Sequence, residues 1–109
     1  MITNALILAI IFVESGGDCS AFNASENAVG PMQIRPCVVE DMRRVGLDFK
    51  HEDCYELEAS IEIFRTYCEM YGADTPEHKA RNWNGGPDGH EENCTLGYWA
   101  KVKKRLKGS

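Results

Sequence analysis

The chain opens on an uninterrupted apolar run, Ala5 to Val13, which meets Glu14, Ser15, Gly16 and Gly17 without a break. A run of nine such residues is far too short to span a bilayer and reads as a buried first helix. Thr3 or Asn4 can cap its start, and Gly16 or Gly17 can supply the left-handed residue that stops it. Residues 16 to 35 then hold Gly, Ser, Asn, Asp and Pro with no sustained period. That pattern predicts a structured loop with a short hairpin near Asn27 to Ile34, and a loop this long in a small domain is usually functional.

Further on, the helical period returns. Pro36 opens a second helix that turns Val38, Val39, Met42 and Val45 inward and stops at Gly46. Asp53 and Glu56 have the spacing of a capping box before a long third helix, whose Leu57, Ile61, Phe64 and Cys68 form a core stripe ending at Gly72. Thr75 and Pro76 are a cap and first-residue pair for a short fourth helix that breaks at Gly85-Gly86-Pro87. Thr95 starts a last helix carrying Leu96, Trp99, Val102 and Leu106. The expected architecture is mostly α: about five helices around a buried first helix, with one loop or short β-hairpin lobe, in a single domain over residues 1–109.

Charge sharpens the picture. All 17 acids lie before residue 101 and five of the 12 Lys and Arg after residue 100, so the body is acidic and the end basic. An acidic body argues against nucleic acid as a partner. Lys101, Lys103, Lys104, Arg105 and Lys107 fall where the last helix ends, which suits its dipole. The five cysteines, Cys19, Cys37, Cys54, Cys68 and Cys94, form no Cys-x-x-Cys pair and do not interleave with histidines at zinc spacing, so neither a metal nor a cofactor is expected. Their number suits an oxidising compartment with two bridges and one free thiol; a reduced chain with buried thiols is the alternative. The apolar run lacks the cationic start and small-residue cleavage site of a secretory signal, so export implies a removed signal or delivery by another route, such as a phage.

Glu14 carries the candidate chemistry. In the last turn of a helix, the negative dipole end and the apolar neighbours Phe12 and Val13 both disfavour an ionised carboxylate. A carboxyl so raised suits a general acid that protonates a leaving oxygen. Three glycine-bearing loops can converge on it: Glu14 to Gly17, Gly30 to Ile34, and Asn82 to Pro87. Taken singly, each is a turn or helix stop. Together they offer amides and backbone for close approach of a ligand, with Trp83, Tyr98 and Trp99 as aromatic platforms for saccharide.

The order Glu14-Ser15-Gly16, then Gly30-Pro31-Met32-Gln33-Ile34, then Ala80-Arg81 and Asn84-Gly85-Gly86-Pro87 resembles the lysozyme superfamily. Glu14-Ser15 and Met32-Gln33 resemble the signature of soluble lytic transglycosylases. Together with Asp88-Gly89 and Thr95-Leu96-Gly97-Tyr98-Trp99, the motifs are more similar still to invertebrate-type (destabilase) lysozymes. The resemblance implies a bacteriolytic muramidase that cleaves the β-1,4 bond of peptidoglycan outside the cytoplasm, in the periplasm or cell wall. It implies Glu14 as general acid and Ser15, Met32, Gln33, Trp83, Asn84, Gly85 and Tyr98 as substrate-binding residues, in a protein expected to be monomeric. The chain departs from the destabilase pattern in its few cysteines and in Trp83, which stands where those relatives carry a His; that weakens an isopeptidase reading. The second carboxylate is open: counting forward from Glu14 reaches Glu26, counting back from Gly30 reaches Asn23, and Asp18 is the other acid in the loop. With Glu26 or Asp18 in reach the reaction is lysozyme-type hydrolysis, the reading favoured here. With neither, Glu14 works alone, as in a lytic transglycosylase that yields 1,6-anhydromuramic ends. A glycan-binding module without catalysis is the further alternative.

Overall fold

A helix that is apolar on every side needs other elements around it. In a computed structural model, which describes residues 4–107, that helix is α1, Asn4–Ser15, and it buries Leu6, Ile7, Ala9, Ile10 and Ile11. Asn4 lies inside the helix, and Thr3, the other expected cap, lies outside the described residues. Gly16, at φ +66°, stops it, with its N–H returned to the Phe12 carbonyl at 2.9 Å.

The chain next makes a small antiparallel hairpin, with β1, Phe22–Asn23, paired to β2, Ala28–Val29. The hairpin therefore starts earlier than the expected Asn27 to Ile34. Asn27 takes the left-handed turn conformation at φ 52°, and Ile34 instead bridges Val29 antiparallel. Gly30 lies between, at φ +82°, packed so tightly that a Cβ there would collide with the Cys54 carbonyl.

Helix α2, Pro36–Arg44, buries Val38, Val39 and Met42. Its end is a Schellman motif, in which the N–H of Leu47 bonds to the Met42 carbonyl at 2.9 Å and that of Gly46 to Arg43 at 3.1 Å. That closure leaves Val45 beyond the last turn and 51% exposed, so it is not the core residue expected. The expected Asp53–Glu56 capping box does not form either. Asp53 reaches back to the N–H of Lys50 at 2.8 Å and closes a 3-10 turn, His51–Tyr55, while Glu56 precedes α3 without a side-chain cap.

Helix α3, Leu57–Met70, buries Ser60, Ile63, Phe64, Tyr67 and Cys68, a stripe rotated from the expected one. Leu57 is exposed and Ile61 half-buried, because the N-terminal end of α3 is held by Ser60, whose hydroxyl donates to the Cys54 carbonyl at 2.9 Å. Helix α4, Pro76–Gly85, is capped as expected, the Thr75 hydroxyl accepting from the His78 N–H at 3.1 Å. Two 3-10 turns, Gly89–Glu91 and Asn93–Thr95, lead to α5, Leu96–Leu106, which packs along both α1 and α4. In α5 only Val102 is buried outright, and Leu96 is exposed.

All five cysteines are free thiols, which overturns the two expected bridges. Cys54 and Cys68 fill core positions as small apolar groups, and burial pushes both thiols up to about 12, which keeps them protonated and inert.

The close approach at Gly30 is testable. Gly30→Ala combines a strained φ with a backbone collision and should cost roughly 2–6 kcal/mol. Gly46→Ala, at φ +87° with open space around the added carbon, should cost only about 1–2 kcal/mol. Chemical denaturation of the two variants measures the difference.

Candidate functional site

Helix α1 ends one residue after Glu14, so the carboxyl emerges at the wall of a cleft of about 80 Å³. The cleft is lined by Glu14 from α1, Asn23 and Ala28 from the hairpin, Glu26 from its turn, Gln33 and Arg35 from the segment after it, and Trp83 and Asn84 from α4. Its walls are mostly polar, which suits a hydroxyl-rich ligand better than a flat apolar one.

Glu14 is half-buried, and desolvation raises its pKa from the ordinary 4.5 to about 7. The Tyr98 hydroxyl, arriving from α5, donates to Glu14 Oε2 at 2.9 Å and pulls the other way by stabilising the carboxylate. Arg35 also lowers the pKa, and Glu26 raises it slightly. Phe12 is not the desolvating neighbour expected, since it is 48% exposed and lies on another side of α1. Tyr98 itself is raised well above its ordinary value, first by burial and then by the charge of Glu14, so it remains a donor throughout the neutral range.

The two acids considered as partners differ in place. Glu26 lines the cleft with its side chain 57% exposed and lies 3.9 Å from the Arg35 guanidinium. Asp18 is engaged in its own turn, Oδ1 accepting from the Ser20 hydroxyl at 2.7 Å and the Ser20 N–H at 2.9 Å, bonds that lower its pKa. It is not among the residues lining the cleft. Asn23 repeats that turn with Ser25, at 3.1 and 2.8 Å, and does line the cleft.

Other candidates act on backbone. The Ser15 hydroxyl donates to the Pro31 carbonyl at 2.8 Å, and the Trp83 indole N–H donates to the Met32 carbonyl at 3.2 Å. Met32 is fully buried, and Trp83 stands edge-on to Phe64 and Tyr67, with centroids at 5.0 and 5.4 Å. Gln33 sits at φ 52°, and its amide donates to the carbonyls of Gly30 at 3.0 Å and Ala21 at 3.3 Å. A side chain on Gly85 would press against the Thr95 methyl, so that glycine serves the packing of α4 on the turn before α5. Asn84 remains exposed at the cleft. Arg35 is the cleft residue that sequence reasoning missed; the only signal for it was a lone cation beside Gln33 and Pro36.

Five helices, a two-stranded lobe and a protonatable carboxyl at the end of the central helix define a lysozyme-like protein. The sequence matches the transglycosylase SLT domain family over residues 1–100, and the chain belongs to that family. Comparison with curated proteins yields no match. Membership makes this a peptidoglycan-acting, glycosidase-like domain of the lysozyme superfamily.

Glu14 lends itself to two measurements. The folded state holds its proton more tightly than the unfolded one, so this group's effect on stability worsens as pH rises from 4.5 and is complete above about 7. At about 1.4 kcal/mol per unit, Glu14→Gln should be near neutral at about pH 4 and stabilising by on the order of 3 kcal/mol at about pH 8, read from denaturation midpoints. Tyr98→Phe removes a donor to the carboxylate, so the Glu14 pKa should rise, read by NMR titration of the carboxyl; an unmoved pKa would separate Tyr98 from Glu14.

Proposed function

We propose that the domain cleaves the β-1,4 bond between N-acetylmuramic acid and N-acetylglucosamine by lytic transglycosylation, with Glu14 as both acid and base. The observation that carries this reading is the half-buried Glu14 carboxyl at the cleft wall, held by the Tyr98 hydroxyl at 2.9 Å and pushed up to about 7 by desolvation. Protonated, the carboxyl donates to the glycosidic oxygen as that bond breaks. The resulting carboxylate, held by the Tyr98 hydroxyl, then takes the proton of the sugar's own 6-hydroxyl as its oxygen closes on C1. A group poised near the working pH is suited to both steps. Asn23, Gln33 and Asn84 offer amide groups at the cleft wall to orient the sugar, while Ser15, Met32 and Trp83 hold the Gly30 to Ile34 backbone in place.

Hydrolysis by a lysozyme-type mechanism is the second reading, and the observation that favours it is Glu26 in the same cleft. Against it, the Glu26 side chain is largely exposed and its carboxylate lies 3.9 Å from the Arg35 guanidinium. Either reaction acts on wall polymer, which suits a protein of the periplasm or cell wall, and needs no metal or cofactor.

Glu14→Gln should lower peptidoglycan cleavage by about 10³-fold or more with the fold intact, since a positioned acid contributes typically 10²–10⁴. Glu26→Gln should change the rate by less than about tenfold if the substrate closes the reaction itself. Mass spectrometry of the products decides between the readings: 1,6-anhydromuramic ends support transglycosylation, and reducing ends heavier by one water support hydrolysis.

A further inference from the structure

Helix α1 is apolar on two sides, and only one of them is used by the core. Ala5, Leu8 and Phe12, at steps of three and four, form a second stripe that faces out, with Leu8 65% and Phe12 48% exposed. Helix α5 lies beside this stripe, and three adjoining hollows of about 350, 280 and 230 Å³ between the two helices all share Arg105. The Arg105 guanidinium sits 3.5 Å above the centroid of the Phe12 ring, and Lys101 and Lys104 border the largest hollow. In α5 there is no acid at all, and the one acid of α1, Glu14, is about 160° round the helix from Phe12.

From this juxtaposition we propose that the outward α1–α5 face adsorbs to the surface of an anionic lipid bilayer, Leu8 and Phe12 entering the acyl boundary and the α5 cations meeting headgroup phosphates. The charge pattern selects this occupant. Cations along one side of an apolar stripe match a layer that is apolar below and anionic above. Lysine stems can lie along the apolar surface while their ammonium groups stay in the headgroups. A second copy docked on the same face would bring two sets of α5 cations together, which electrostatics opposes. No described helix is long and apolar enough to cross a membrane, so the contact is interfacial. Because Glu14 lies on the far side of α1, adsorption would leave the cleft open to wall polymer.

Sedimentation of the full chain with phosphatidylcholine vesicles, with and without phosphatidylglycerol, tests this. Binding should need the anionic lipid and weaken with added salt. Lys101→Gln with Lys104→Gln should lower partitioning by about 25-fold, at roughly fivefold per cation. Leu8→Ser should lower it by roughly tenfold. Cleavage of isolated, lipid-free peptidoglycan should be unchanged in both variants, and circular dichroism checks that they fold. Equal binding to neutral vesicles, or no effect of the lysine changes, would overturn the proposal. So would the absence of vesicle binding, including a case where sedimentation velocity shows a dimer that Leu8→Ser dissolves or where an acidic helical peptide binds the face instead.

Discussion

The structure depends on one constraint: a carboxyl must be carried by a helix buried in the core and still reach an open cleft. Burying Leu6 and Ile10 fixes one face of α1 against the core, and the stop at Gly16 brings the helix's last turn to the cleft wall. Glu14 thus stands on the border between a dry interior and a polar wall, and that border position makes its proton easy to hold at neutral pH. The chain's other end completes the arrangement. Tyr98 arrives 84 residues later on α5, and its hydroxyl ties the carboxyl to a fixed direction. The packing of α5 along α1 is therefore part of the site as well as of the core.

A second layer of order comes from backbone carbonyls. The segment from Gly30 to Ile34 has little regular structure of its own, so its polar groups need outside partners. Ser15 takes the carbonyl of Pro31, Trp83 takes that of Met32, and the amide of Gln33 takes those of Gly30 and Ala21. Gln33 adopts a left-handed backbone that costs a side-chain residue roughly 1–2 kcal/mol, and these bonds hold it there. Gly30 lets the same segment lie against the Cys54 backbone. Ser15, Trp83 and the NH2 group of Gln33 thus support the loop, while Gln33 and Trp83 also line the cleft. Preorganised backbone of this kind matters in a site where small misplacement is costly.

Much of this was legible in the sequence, and the reasons for the misses are physical. The five helices, their glycine stops and the Thr75 cap follow local rules, and the structure obeys them. Glu14 was legible because its chemistry depends on a helix end that the apolar run announces. What failed depended on tertiary choice. Asp53 could cap either of two turns, and it serves the one at Lys50. The third helix offered two adjoining apolar stripes, and contact with the His51–Tyr55 turn through Ser60 selected the one with Ile63 and Tyr67. The bridges expected from five cysteines rested on count alone, whereas burial put two of them in the core as packing groups. Arg35 was invisible because a single cation carries no pattern until a fold sets it beside two carboxylates.

Those three charges argue for how the cleft can work. Desolvation lifts Glu14, while Tyr98 and Arg35 hold it down, so its pKa settles near neutrality instead of climbing further. A carboxyl lifted by burial alone would hold its proton too tightly to be a good acid at neutral pH. One tied only to cations would never hold the proton to begin with. The opposing pair keeps both forms accessible at one pH, as a reaction with a single acid and base requires. Arg35 also lies 3.9 Å from Glu26, and at Glu14 it opposes the small upward push of that second carboxylate. The cleft thus holds one half-buried carboxyl near neutrality and one exposed carboxylate beside a cation, and the proposed reaction draws on the first.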